Sequence, residues 1–268
     1  MNFFVKLYEF FDLSMTEPTN YGWFHLMFMA IIIATTVLLC VFFRNSNDKT
    51  MRKIVLIFWI VISVLEIYKQ FNFSFSVVDN KLVWDFQWYA FPFQFCSTPL
   101  YAMPFIVFLK DGKIRDAFIS YMGAFSFFGG IAVFFYPNDV FISTIGINIQ
   151  TMIHHGTQVV IGIFLLVHQR KKLGIFHYLM GIPVFAGFSI IAIALNEIAV
   201  ASGLSETFNM FYISRHYNCT LPVLSAIYPN VPYPVFLLIY LLGFVIVSSI
   251  MYFAQYGIIK LVQKKKSK

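Results

Sequence analysis

Seven long apolar runs confine this chain to a helical membrane bundle before any motif is read. About 20 mostly apolar residues, rising 1.5 Å each, cross about 30 Å of hydrocarbon. Runs of that kind lie at 21–43, 54–71, 91–109, 117–136, 147–167, 174–201 and 233–259. Hydrocarbon offers no partner to a backbone N–H or C=O, so each run must satisfy its own groups as a helix. With 59% hydrophobic residues, 12% charged residues and a mean hydropathy of +0.76, the chain has too little polar surface to clothe a water-soluble globule. The expected fold is an all-α membrane protein, a seven-transmembrane-helix bundle.

The basic residues orient that bundle. Fifteen of the nineteen Lys and Arg follow runs one, three, five and seven: Arg44, Lys49, Arg52 and Lys53; Lys110, Lys113 and Arg115; Arg170, Lys171 and Lys172; Lys260, Lys264, Lys265, Lys266 and Lys268. Short cytoplasmic loops retain such charges, which places the N-terminus outside and the C-terminus in the cytoplasm of a multi-pass cell-membrane protein. The net charge of +7 therefore reflects topology. Membrane lipids are the expected partners, and nucleic acid is not one.

Three segments follow. Residues 1–20 are expected to form an outer interfacial amphipathic helix, because Phe3, Phe4, Leu7, Tyr8, Phe10 and Phe11 recur at roughly helical spacing. Residues 21–260 carry the seven spans, and 261–268 form a basic cytoplasmic tail that favours anionic lipid. Cys40, Cys96 and Cys219 are odd in number and lie on different segments, so they imply no disulfide framework. Cys219 is expected in an outer loop, where oxidation is open to it. Asn72-Phe-Ser and Asn218-Cys-Thr have the form of glycosylation sequons.

Polar groups inside the spans carry the functional signal, since an intramembrane ionisable side chain costs about 2.5–3.5 kcal/mol on insertion scales. In the expected topology His25, Glu66, Gln94, Cys96, His154, His155, Gln158, Asn196 and Glu197 all fall in the outer half, whereas inner stretches such as LLCVFF and GIFLLV are almost purely apolar. That sorting predicts a buried polar cavity opening outward. Thr151, His154, His155 and Gln158 follow the i, i+3, i+4, i+7 spacing of one helical face. Cys96 follows Pro92 near the positive end of its span, where orphan amides favour a thiolate. A cysteine so placed, with a histidine at matched depth, is what a Cys-His nucleophile requires. Each residue also has a plainer use: the cysteine packs, the histidines bridge helices, and Glu66 and Glu197 pair with Lys69, Arg215 or a histidine.

The segments FPFQFCSTPLY, MIHHGTQ and LNEIAVASGLSETFNMFYI around Asn209, with LPVLSAIYPNVPYP after it, carry a resemblance over most of the chain. They resemble the YwaF-like integral membrane proteins of bacteria, whose eukaryotic relatives include a phospholipid acyltransferase on the same seven-helix plan. The resemblance implies that Cys96 is the acyl-accepting cysteine and that His154, 58 residues downstream, is its histidine. This chain departs from the family pattern at Gln94, where a histidine or another polar residue is frequent, and after Asn209, where ISRHYN replaces a compact motif.

The expected activity is acyl transfer or acyl hydrolysis on a lipid ester of the outer leaflet, with a phospholipid or lyso-lipid as substrate. Cys96 attacks, His154 takes its proton, Gln94 or Asn209 donates to the oxyanion, and His155 or Glu66 orients His154. Gln158 and Asn196 support the site. No cofactor or metal is required. Other classes stay open at this stage. A transporter or solute-binding membrane protein would use the same cavity without a nucleophile. A zinc-dependent seven-span hydrolase would draw on His25, His154 and Glu66, although His154 is followed four residues on by Gln158 and not by a second histidine. A retinal protein would need a lysine between Tyr233 and Ile259, where the sequence has none.

Overall fold

Six of the apolar runs form helices long enough to cross a membrane in the computed structural model, which describes residues 3–137, 140–204 and 207–266. Ser205 and Glu206 of the motif before Asn209, and Lys268 of the basic tail, lie outside the described residues. The first two long helices are α2 (Trp23–Phe43) and α3 (Asp48–Asn72), the latter capped by the Asn47 side chain, which accepts from the Thr50 N–H at 2.9 Å. The third is α5 (Lys113–Tyr121) continuing through a wide turn at Met122–Ser126 into α6 (Phe127–Phe135). The remaining three are α7 (Ile145–His168), α8 (Ile175–Ala201) and α10 (Tyr233–Lys266).

The run at 91–109 behaves differently from expectation. Only Phe95–Phe108, here α4, is helical, and it opens with a tight turn at Phe95–Ser97. Fourteen residues rise about 21 Å, short of the hydrocarbon thickness. The prolines explain this: Phe91 before Pro92 is extended (φ −48°, ψ 135°), and Pro99 sits at the start of regular helix with Pro104 inside it. Residues 91–94 therefore enter the bundle as irregular backbone.

Three further boundaries are corrected. The N-terminal helix α1 spans Phe3–Phe11 and does not reach residue 20; beyond it the chain is irregular as far as α2, and Ser14 bridges Thr144. The fold is not purely helical, because β1 (Phe75–Val78) and β2 (Lys81–Trp84) form an antiparallel hairpin pairing Val78 with Lys81. Its turn residues Asp79 and Asn80 both have positive φ (48° and 58°), the geometry that matches strand twist in a two-residue hairpin. Finally, α10 continues through Lys266, so the basic tail is a helical extension as far as it is described.

The two ends of the bundle differ chemically. At one end Arg52 donates to the Val107 carbonyl at 2.6 Å, Arg115 pairs with Asp48 at 2.8 Å, Arg170 donates to the Arg44 carbonyl at 2.6 Å, and His168 donates through Nε2 to the Ser46 carbonyl at 2.9 Å. Loops 44–47, 109–112 and 169–173 thus meet there. The hairpin and the residue 209–214 segment lie toward the other end. Between them an aromatic core joins α4, α8 and α10: Phe95 packs edge-on against Phe244 (4.9 Å between centroids) and Phe185 (6.0 Å), and Phe244 stacks on Tyr240 (4.5 Å).

Candidate functional site

The irregular entry to α4 leaves backbone groups that a membrane interior cannot solvate, and polar side chains from neighbouring helices bind them. The Cys96 carbonyl accepts two hydrogen bonds from α7, from His154 Nε2 at 2.9 Å and from Gln158 Nε2 at 3.0 Å. The spacing of four residues sets both side chains on one face, a turn apart. A carbonyl oxygen only accepts, so His154 presents Nε2–H and holds its lone pair on Nδ1. His154 Nδ1 and Gln158 Oε1 are both buried and have no partner among the described residues. Two bare acceptors, on side chains that share one carbonyl, favour a ligand that donates, such as a hydroxyl, a thiol or water.

The hydrogen bond between Cys96 and His154 thus runs through the backbone carbonyl and not through the thiol. The expected histidine pair divides: His155 turns its Nδ1 to the Thr151 carbonyl of its own helix at 2.8 Å and orients edge-on to His154.

A second set of amides braces the segment 209–214, which follows α8. Asn196 grips Met210 twice, donating to its carbonyl at 3.1 Å and accepting from its N–H at 2.7 Å. Gln94 donates to the Asn209 carbonyl at 3.1 Å and accepts from the Phe211 N–H at 2.9 Å. Asn209 in turn accepts from the Ser214 N–H at 2.9 Å and donates to the Asn218 carbonyl at 3.2 Å. This bracing holds Phe211 and Tyr212 at positive φ (59° and 58°), a conformation bulky side chains avoid unless their surroundings impose it. Phe211 is fully buried against Phe93 and Phe95. Gln94 and Asn209, expected as oxyanion donors, each spend an N–H on backbone.

Glu66 pairs with Lys69 at 2.8 Å and accepts from Gln70 at 2.8 Å and from Gln150 of α7 at 3.4 Å. Gln150 was not singled out in the sequence, although it lies one turn before His154. His25 is separate: it stacks on Phe134 (5.9 Å) and takes the Tyr21 N–H on Nδ1 at 3.1 Å. Among the described residues no three His, Cys, Asp or Glu side chains form a metal-holding group, so His25, His154 and Glu66 are not arranged as a zinc set. Glu197 is bound by Arg215 at 2.7 Å and His216 at 3.2 Å, away from these residues. Cys219, expected in an accessible loop, is only 3% exposed, and burial pushes its thiol pKa up.

Gln94, Cys96, His154, Gln158, Asn196 and Asn209 are therefore brought together, Glu66 reaches the same helix through Gln150, and His155 borders the group. Two glycines of α6 allow this approach: a Cβ on Gly129 would stand 2.9 Å from the Phe95 ring and 3.1 Å from Gln158 Oε1, and one on Gly130 would stand 2.7 Å from the His155 carbonyl.

No curated protein and no solved structure matches the chain. A family model matches residues 20–252, from just before α2 to the middle of α10, and so takes in Gln94, Cys96, His154, Gln158, Asn196 and Asn209. The chain accordingly belongs to the TMEM164 family, a family of multi-pass membrane proteins.

Proposed function

We propose that this protein is a cell-membrane acyltransferase or acyl hydrolase that acts on a lipid ester through Cys96 and His154. The observation that carries the reading is the buried, unpartnered Nδ1 of His154, a base whose other nitrogen is held by the backbone of the very residue that would be the nucleophile. In this scheme Cys96 Sγ attacks the ester carbonyl while its proton passes to His154 Nδ1. The tetrahedral intermediate collapses to a thioester, and the departing lyso-lipid alcohol takes that proton. A second lyso-lipid hydroxyl, or water, is then deprotonated at Nδ1, attacks the thioester and regenerates the thiol. Gln158 Oε1 accepts from the incoming hydroxyl and orients it. The Cys96 N–H, in the first turn of α4, stands beside the thiol as an oxyanion donor.

In the same reading the chain crosses seven times, with residues 91–108 as the short third crossing, the basic end in the cytoplasm and the polar group in the outer half. A transporter reading is favoured by one feature, the irregular backbone of residues 91–94 and 209–214 inside the bundle, which transporters use at their substrate sites. Turnover separates the two. Purified protein given labelled phospholipid is expected to release or transfer acyl chains, Cys96→Ala to abolish this with the melting temperature unchanged, and His154→Ala to slow it about 10²–10⁴-fold. Full turnover in Cys96→Ala would end the acyl-enzyme reading, and solute uptake lost on changing Gln158, with lipid turnover absent in the parent protein, would favour transport.

A further inference from the structure

The basic end of the bundle encloses a cleft of about 470 Å³ between loops 44–47, 109–112 and the turn after α7. That volume lies in the range of small-molecule sites, about 300–1,000 Å³, and exceeds what one simple ion needs. Its lining carries five cations, Arg44, Arg115, Arg170, Lys171 and Lys172, against two carboxylates, Asp48 and Asp111. The carboxylates are already engaged: Asp48 by Arg52 at 2.6 Å and Arg115 at 2.8 Å, Asp111 by Arg115 at 2.9 Å and, more loosely, by Lys172 at 3.6 Å. Among the described residues no ion pair involves Arg44 or Lys171.

Basic loops of a membrane protein are ordinarily topology anchors bathed in water. Two buried groups here do not fit that use alone. Arg115 is only 3% exposed; its terminal nitrogens hold Asp48 and Asp111, yet its Nε–H is buried with no acceptor among the described residues. Ser46 gives its carbonyl to His168, and its hydroxyl is likewise buried and unpartnered. Both are donors lacking an acceptor, on residues that line a cleft where Arg44, Arg170 and Lys171 carry no ion pair among the described residues. A ligand that only accepts, and is anionic, completes them.

We infer that this cleft binds a phosphate ester, either the headgroup of an anionic lipid in the adjacent leaflet or a soluble phosphorylated molecule. Phosphate presents several acceptor oxygens to forked guanidinium and hydroxyl donors. The cleft ends at His168, ten residues and about 15 Å along α7 from Gln158, so it is distinct from the Cys96 group and does not depend on the reading of that group.

The test uses full-length protein. Glycerol 3-phosphate is titrated calorimetrically against protein in detergent, and phosphatidic acid is offered in phosphatidylcholine nanodiscs with retained lipid measured. Saturable binding of either probe, weakened by added salt and about tenfold by the double variant Arg44→Gln/Lys171→Gln and by Ser46→Ala, is the expected result. Binding of glycerol 3-phosphate identifies a soluble ester as the ligand; binding of phosphatidic acid alone identifies a lipid. Ser46→Ala, which removes no charge, keeps the test valid should the double variant melt early. Lys81→Gln, on the hairpin toward the other end, is expected to bind as the parent does. The inference is overturned if neither probe saturates, if both cleft variants bind normally, or if Lys81→Gln weakens binding as much as they do.

Discussion

At the scale of single residues, this protein spends most of its intramembrane amides on backbone. Asn196 is the clearest case, because it satisfies both polar groups of Met210 in a segment with no regular structure. Asn196→Ala should leave a buried N–H and a buried C=O unpaired and lower stability by about 2–4 kcal/mol, read from unfolding in detergent; Asn209→Ala should cost less, since its Asn218 bond reaches an exposed residue. Cysteine chemistry divides the same way. Because burial raises the Cys219 thiol pKa, its thiolate fraction at neutral pH falls below that of a free thiol near 8.5, and alkylation should be slow at pH 7 and rise only through a higher midpoint. Mass spectrometry of labelled protein against pH checks this; labelling at the rate of a free thiol would contradict it. The histidine pair was legible as one helical face, but its division between Cys96 and Thr151 was not, because adjacent residues on a helix point about 100° apart and only the neighbours decide which one is used.

At the scale of elements, the decisive feature is the close approach of α6 to α7. Gly130 faces the His155 carbonyl and the Gln158 side chain, where an added methyl would meet atoms at 2.7 Å and 2.8 Å. Gly130→Ala should destabilise by about 1–3 kcal/mol and, by displacing Gln158 from the Cys96 carbonyl, impair any activity centred there. Gly187→Ala on α8, where a Cβ meets nothing within 4 Å, is the matched control. Normal stability and activity in Gly130→Ala would refute the steric account. Long apolar runs announced their helices, but the third did not: residue counting read 91–109 as one span, whereas Pro92, Pro99 and Pro104 break it into entry segment and short helix. The hairpin at 75–84 was also overlooked, though the Asp79-Asn80 pair between alternating residues was its signal.

At the scale of the whole molecule, the separation of a basic end from a hairpin end predicts how the protein sits in its membrane. In intact cells a membrane-impermeant thiol reagent should label Lys81→Cys strongly and Lys171→Cys only after permeabilisation; the reverse pattern would invert the orientation, and labelling of both would remove an odd number of crossings between them. The sequence by itself determined that this chain is a membrane protein, where its six long helices lie, and which loops carry the positive charge, because transfer free energy and backbone satisfaction are sums over neighbouring residues. Tertiary structure alone decided that the third run is broken, that Gln94 and Asn196 brace residues 209–211, that His154 and Gln158 converge on one carbonyl, and that three basic loops close around a cleft. Those pairings join groups up to more than a hundred residues apart, and a local pattern of polar and apolar residues contains the donors without naming their acceptors.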